Sequence, residues 1–165
     1  MKYYTYELWS GGYDCYKEQK EKVHLQWIKN DEEYSKIFVT VKELLPKKFM
    51  KIYLKEHGFH DYQLRNFEII HGKEGYIDPV AVSMDITDGY NSWNIVYKKI
   101  KKISINYEQD IDNSKRRLYS GFDNYGYDEF FQIDEKTFSH EILFASGATI
   151  LIHFEKIQIN KITIE

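Results

Sequence analysis

The residues best suited to hold a metal or move a proton are two short pairs, His60-Asp61 and His140-Glu141. Imidazole and carboxylate together suit zinc or iron. Metal-dependent phosphohydrolases that use a His-Asp pair carry it on a helix, with another His upstream and an Asp far downstream. Here His60-Asp61 falls where a helical pattern gives way to a strand pattern. The plainer expectation is that both side chains hydrogen-bond backbone groups at that corner. A zinc-protease helix would read His-Glu-x-x-His, but position 144 is Phe144. The segment has strand character, so His140 and Glu141 are expected on opposite faces. A composite site from His57, His60, Asp61, His71, His140, Glu141 and His153 is the remaining metal arrangement, and none of these shows a ligand spacing.

Other catalytic signatures are incomplete. Ser10-Gly11-Gly12 and Ser120-Gly121 lack the flanks of a Gly-x-Ser-x-Gly elbow. No glycine-rich phosphate loop occurs. Asp110-Ile111-Asp112-Asn113 starts like a calcium loop but lacks the later Gly and Glu. Cys15 is the only cysteine, so it forms no intramolecular disulfide and no thiolate metal site, and it reads as a small packed hydrophobe.

The most informative segment is Tyr119–Phe131, YSGFDNYGYDEFF. It reads as a long loop with Gly121 and Gly126 allowing bends. In one account its aromatics tuck back onto the sheet and its acids face water. In the other, Tyr119, Phe122, Asp123, Tyr125, Tyr127, Asp128 and Glu129 form an acidic, aromatic surface that recognises a partner, with the acids steering a basic one.

The elements that would position these residues follow from periodicity. Before residue 58 the pattern is helical. Val23 and Trp27 support a helix over Tyr16–Lys29. Asn30 and Glu33 read as a capping pair opening a second helix to Leu44 or Leu45, with Tyr34, Ile37, Phe38 and Val41 on one face. Pro46 separates it from a third helix that stops at Gly58. Then the period changes. Tyr62–His71 and Tyr76–Thr87 read as strands joined through Gly72-Lys73-Glu74-Gly75, and Asp88-Gly89 marks the next turn. Trp93–Tyr107 shifts its apolar parity, which predicts a bulge or two strands. Thr137–Ala145 and Thr149–Glu155 flank a Ser146-Gly147-Ala148 turn, and Ile157–Ile164 is strand-like again. Turns this short imply antiparallel pairing. The expected fold is α+β, one domain over residues 1–165, with helices against about six antiparallel strands. A small-ligand pocket lined by Trp27 and Trp93 is a third possibility.

Composition bounds the rest. Hydrophobic residues are 42% of 165 and the net charge is −3, an ordinary globular balance rather than a disordered one. The absence of a basic excess argues against nucleic-acid binding. No apolar run is long enough to cross a bilayer, and Glu7 interrupts anything resembling a signal peptide. The reading is a cytoplasmic protein with no membrane partner and no implied cofactor.

The opening Met1-Lys2-Tyr3-Tyr4-Thr5-Tyr6-Glu7-Leu8-Trp9 is similar to the start of bacterial proteins grouped as domain-of-unknown-function family 4085. Leu45-Pro46 before a helix, Phe59-His60-Asp61 at the start of the sheet and Ser139-His140-Glu141-Ile142-Leu143 carry the same resemblance. Phe59 departs from the Leu usual there. The resemblance spans nearly the whole chain and implies no activity. The architecture also resembles immunity proteins of bacterial toxin systems, an analogy of fold alone. Together these readings favour a non-enzymatic protein-binding module acting through Tyr119–Phe131. The alternative is a metal-dependent hydrolase built on His60, Asp61 and His140.

Overall fold

A computed structural model describes residues 1–14, 17–72, 79–108 and 121–163. Among them α-helices lead: α1 (Tyr6–Asp14), α2 (Lys17–Leu44) and α3 (Lys47–Lys55). Asn30 opens no helix. The chain is helical straight through it, because the stripe of Val23 and Trp27 keeps the same helical register as Tyr34, Phe38 and Val41 beyond it. Asn30 instead donates from its side-chain amide to the Tyr3 carbonyl, 2.8 Å away. Pro46 ends the run as expected, and α3 starts at the next residue with Phe49, Met50 and Tyr53 buried.

Among the described residues eight strands follow, against about six expected: β1 (Gln63–His71), β2 (Pro79–Thr87), β3 (Ser92–Lys98), β4 (Lys102–Asn106), β5 (Tyr125–Gln132), β6 (Phe138–Phe144), β7 (Thr149–Phe154) and β8 (Lys156–Lys161). They form two antiparallel four-stranded sheets, ordered β1-β2-β3-β8 and β4-β7-β6-β5. The parity shift after Trp93 marks the change of sheet. Lys99 adopts a left-handed φ of 57° there, and the chain leaves β3 for β4. The Gly72–Gly75 turn lies largely outside the described residues, as do Cys15 and the Asp110–Asn113 segment.

The sheets meet at their edges as well as their faces. Gln63 of β1 bridges Asn124, just before β5. Asp61 N–H donates to the Tyr125 carbonyl at 2.8 Å, and Tyr125 N–H donates to the Tyr62 carbonyl at 2.6 Å. Between the sheets lies an apolar cluster. Val82, Met84, Ile86 and Ile95 come from one sheet, Ile142, Phe144, Ile150, Ile152 and Phe154 from the other, and α3 adds Phe49 and Met50. Each such side chain contributes about 1.5–3 kcal/mol on full burial. A second, aromatic cluster sits outside the sheets, where Tyr3, Tyr4, Tyr34 and Trp27 cover Tyr127 and Phe131 of β5.

Candidate functional site

From Tyr125 onward the segment expected to be a loop is strand β5, and both of its faces are covered. Its register against β6 slips between Tyr125 and Tyr127, a bulge at Gly126. That slip has a specific effect. In a regular strand, residues three apart point to opposite faces; the extra residue turns both Tyr125 and Asp128 inward. Glycine is required at the bulge. A Cβ at position 126 would lie 2.6 Å from the Trp9 ring and 2.9 Å from the Leu143 carbonyl oxygen. Trp9 therefore seats on bare backbone.

Inside, Asp128 anchors a polar network in an otherwise apolar core. Tyr53 of α3 donates its hydroxyl to Asp128 Oδ1 at 2.6 Å. Tyr125 donates to Asp128 Oδ2 at 2.6 Å, and His140 Nε2 lies 2.7 Å from the same oxygen. Tyr97 of β3 places its hydroxyl 2.7 Å from His140 Nδ1. The tautomer that satisfies both ring nitrogens carries the proton on Nε2, with Nδ1 accepting from Tyr97. Phe130 stacks on the imidazole with centroids 3.8 Å apart. Burial, reinforced by the Asp128 charge, pushes the hydroxyls of Tyr53, Tyr97 and Tyr125 well above the ordinary tyrosine range.

On the outer face of β5, Glu129 is fully buried. It accepts the backbone N–H groups of Lys2, Tyr3 and Tyr4 at 2.8, 2.6 and 2.8 Å. Tyr34 of α2 accepts the Phe130 N–H at 2.6 Å. The two central acids of the segment are thus structural acceptors, which is how a strand can carry buried carboxylates.

The network reaches solvent at one edge. A cleft of about 300 Å³ is lined by Tyr4, Tyr34, Tyr53, Tyr127 and Asp128, with His57, Gly58 and His60 among the residues of its wall. That wall is strained. His57, Gly58, Phe59 and Asp61 all have φ between 51° and 69°, a region costly for residues with a Cβ. Glycine suits position 58, where φ is 69° and a Cβ would press to 3.2 Å from the Tyr53 hydroxyl. A second cleft of about 380 Å³ holds Leu8, Trp9, Lys20, Val23, His24, Trp27 and again Tyr127. Tyr127 divides the two. Its ring stacks on Tyr4 at 5.2 Å and meets Trp27, Trp9 and His60 edge-on at 4.7, 5.6 and 5.2 Å.

The candidate residues separate in space. Tyr125, Asp128 and Glu129 are buried, whereas Tyr127 is half-buried at the cleft. Phe122 packs between Tyr107 and Phe144, away from Tyr127. Asp123 accepts the Ser146 N–H at 3.2 Å, and burial raises its carboxyl above the usual range. Tyr119 lies outside the described residues. His60 pairs with its neighbour Asp61 at 3.2 Å on the surface, while His140 is in the core. Among the described residues no three His, Cys, Asp or Glu side chains are grouped to hold a metal. Trp27 lines a cleft as expected, but Trp93 belongs to the core between the sheets. Sequence reasoning missed Tyr53, Tyr97 and Tyr34, whose partners lie 43 to 96 residues away in the chain. The Gly between Tyr125 and Tyr127 was the one local signal of a bulge.

No helix among the described residues is long and apolar enough to cross a membrane. No protein-family model and no curated protein matches the chain. Among solved structures it is similar to an uncharacterized protein from Neisseria gonorrhoeae, at 18% identity over 63% of this chain and 94% of that one, with a TM-score of 0.41. A likeness that loose carries no functional argument.

Proposed function

We propose that the protein is a non-enzymatic binding module that captures a polypeptide segment in the paired clefts divided by Tyr127. The observation that carries this reading is the position of Tyr127, a half-buried ring shared by two adjoining aromatic clefts. Partly exposed aromatic side chains that line a cleft are favoured recognition surfaces. The carboxylate at the back of the first cleft is engaged by the core. Both carboxylate oxygens of Asp128 already accept hydrogen bonds, from Tyr53 on one side and from Tyr125 and His140 on the other. Three of the roughly four acceptor positions of this buried carboxylate are thus already filled from within the protein, which favours a structural role for it.

The acids that suggested a basic partner are engaged internally, so the reading rests on the aromatic rings instead. Membership of family 4085, a bacterial source and a cytoplasmic location belong to the same proposal. The Phe59-His60-Asp61 motif that carries the resemblance falls on the strained cleft wall, and the lone Cys15 suits a reducing compartment.

Peptides selected from a displayed random library against the protein test this reading. They are expected to perturb the emission of Trp9 and Trp27, and to lose at least tenfold in affinity for Trp27→Ala. Tyr90→Ala, at a fully exposed turn, serves as control and should leave affinity unchanged. Selected peptides that bind Trp27→Ala and the parent protein equally would overturn the reading.

A further inference from the structure

A separate face of the molecule has a charge opposite to that of the chain as a whole. The net charge is −3, yet α3 places Lys47, Lys48, Lys51 and Lys55 in solvent and contains no acid. Beside it, β8 presents Lys156, Gln158 and Asn160 outward, again with no acid. Lys48 Nζ reaches Asn160 Oδ1 at 3.5 Å, so the two elements share this surface. Between them runs a groove of about 430 Å³ whose apolar lining includes Leu44, Pro46, Ile157 and Ile159, with Lys48 and Lys156 also on it.

Two further features make the groove positive. Glu155 is the single carboxylate among its described lining residues. It is already held by Lys99 and Lys101 at 2.8 and 2.9 Å. In addition, α3 begins at the groove without a side-chain cap, because Pro46 occupies the N-cap position. The helix therefore adds its positive end to the lysine field. Leu44 supplies the apolar component, being 50% exposed although large and aliphatic.

We propose that this groove receives an acidic segment of a partner protein, its carboxylates on Lys48, Lys156 and the first turn of α3 and an apolar side chain against Leu44 and Pro46. Charge complementarity selects the occupant. Nucleic acid fits less well, because the groove's aromatic rings, Phe49, Phe138 and Phe154, are all buried and offer no stacking surface. The proposal is independent of the Tyr127 clefts.

The test is fluorescence anisotropy with a labelled peptide of alternating Glu and Leu, against a Lys-Leu counterpart, an oligothymidylate and vesicles containing phosphatidylserine. The expected result is binding of the Glu-Leu peptide alone. The double reversal Lys48→Glu with Lys156→Glu should weaken it at least tenfold, and Leu44→Ser several-fold. Lys20→Glu, in the Tyr127 cleft, should change nothing. All these sites are exposed, and circular dichroism of each variant checks that it folds. No binding at millimolar peptide, equal binding by the reversed variant, or loss with Lys20→Glu would each overturn the proposal. Oligothymidylate or vesicles binding as tightly as the peptide would also overturn it, in favour of a general polyanion or lipid surface.

Discussion

Raising the pH should unfold this protein steeply, and the buried tyrosines set the slope. Tyr53, Tyr97 and Tyr125 have hydroxyls in the Asp128–His140 network, and burial holds their ionisation far above the ordinary range. In the unfolded chain each ionises near pH ~10. The folded value lies above the unfolded one, so the stabilisation is fully present below pH ~10 and is lost as pH rises beyond it. Each proton retained only by the folded state costs about 1.4 kcal/mol per pH unit in that window. Three such tyrosines together remove about 4 kcal/mol per unit, to which Tyr4, Tyr34 and Tyr62, also raised by burial, add. Against a typical domain stability of ~5–15 kcal/mol, one to a few units above pH ~10 suffices to unfold the chain. The assay is urea unfolding by circular dichroism at a series of alkaline pH values, with tyrosinate absorbance followed in parallel. Tyr97→Phe isolates one member. It should flatten the slope by about 1.4 kcal/mol per pH unit. At neutral pH the same variant should lose about 1–3 kcal/mol, because His140 Nδ1 is left without a donor. If all tyrosines ionised near pH ~10 in a chain that stayed folded, or if Tyr97→Phe left the slope unchanged, the account of the network would be refuted.

Three further outcomes are expected. Gly126→Ala should cost about 1–3 kcal/mol by driving a methyl into Trp9 and the Leu143 carbonyl, read as a shift in urea midpoint; no shift would mean that Trp9 does not rest on the bulge. Glu129→Ala leaves the N–H groups of Lys2, Tyr3 and Tyr4 without their acceptor, at about 1–3 kcal/mol for each that stays buried. Hydrogen exchange at Tyr3 and Tyr4 should accelerate sharply, while amides in β2 and β3 should change far less. The Glu155 carboxyl is held down to about 2 by hydrogen bonds from Lys99 and Lys101. In Lys99→Ala with Lys101→Ala its titration, followed by NMR, should move up toward the ordinary glutamate range, and added salt should shift the parent value the same way.

Much of the framework was legible because it is locally encoded. Pro46 cannot continue α2, and Asp88-Gly89 and Ser146-Gly147-Ala148 are turns wherever they occur. The alternation in β2 and β7 follows from one apolar face. The site was not legible, for a physical reason. In β5, acids at 128 and 129 disguise a strand buried on both faces, and the groups that satisfy them come from α3, β6, residues 2–4 and, across the bulge, Tyr125. A buried carboxylate without its partners looks like an exposed one in sequence. Asn30 misled for a related reason. Its side chain is a good cap in isolation, but the Tyr3 carbonyl was its partner, and the apolar stripe of α2 passed through it. His140 and Glu141 were correctly assigned to opposite faces, because strand geometry alone decides that.

The way Glu129 gathers the amides of residues 2–4 bears on the order in which the chain is made. Glu129 lies 125 residues beyond Tyr4, and Asp128 lies 75 beyond Tyr53. At a synthesis rate of about 5–20 residues per second, the first of these gaps corresponds to a delay of about 6–25 s. Tyr3 and Tyr4 wait through that interval, and Trp27 and Tyr34 through most of it, without the strand they cover. The nascent helices therefore wait with an uncovered aromatic face until β5 arrives, and a chain interrupted before residue 125 has nothing native to close it. Such truncated products are expected to be captured by holdase chaperones or degraded, even though every helix in them is already complete.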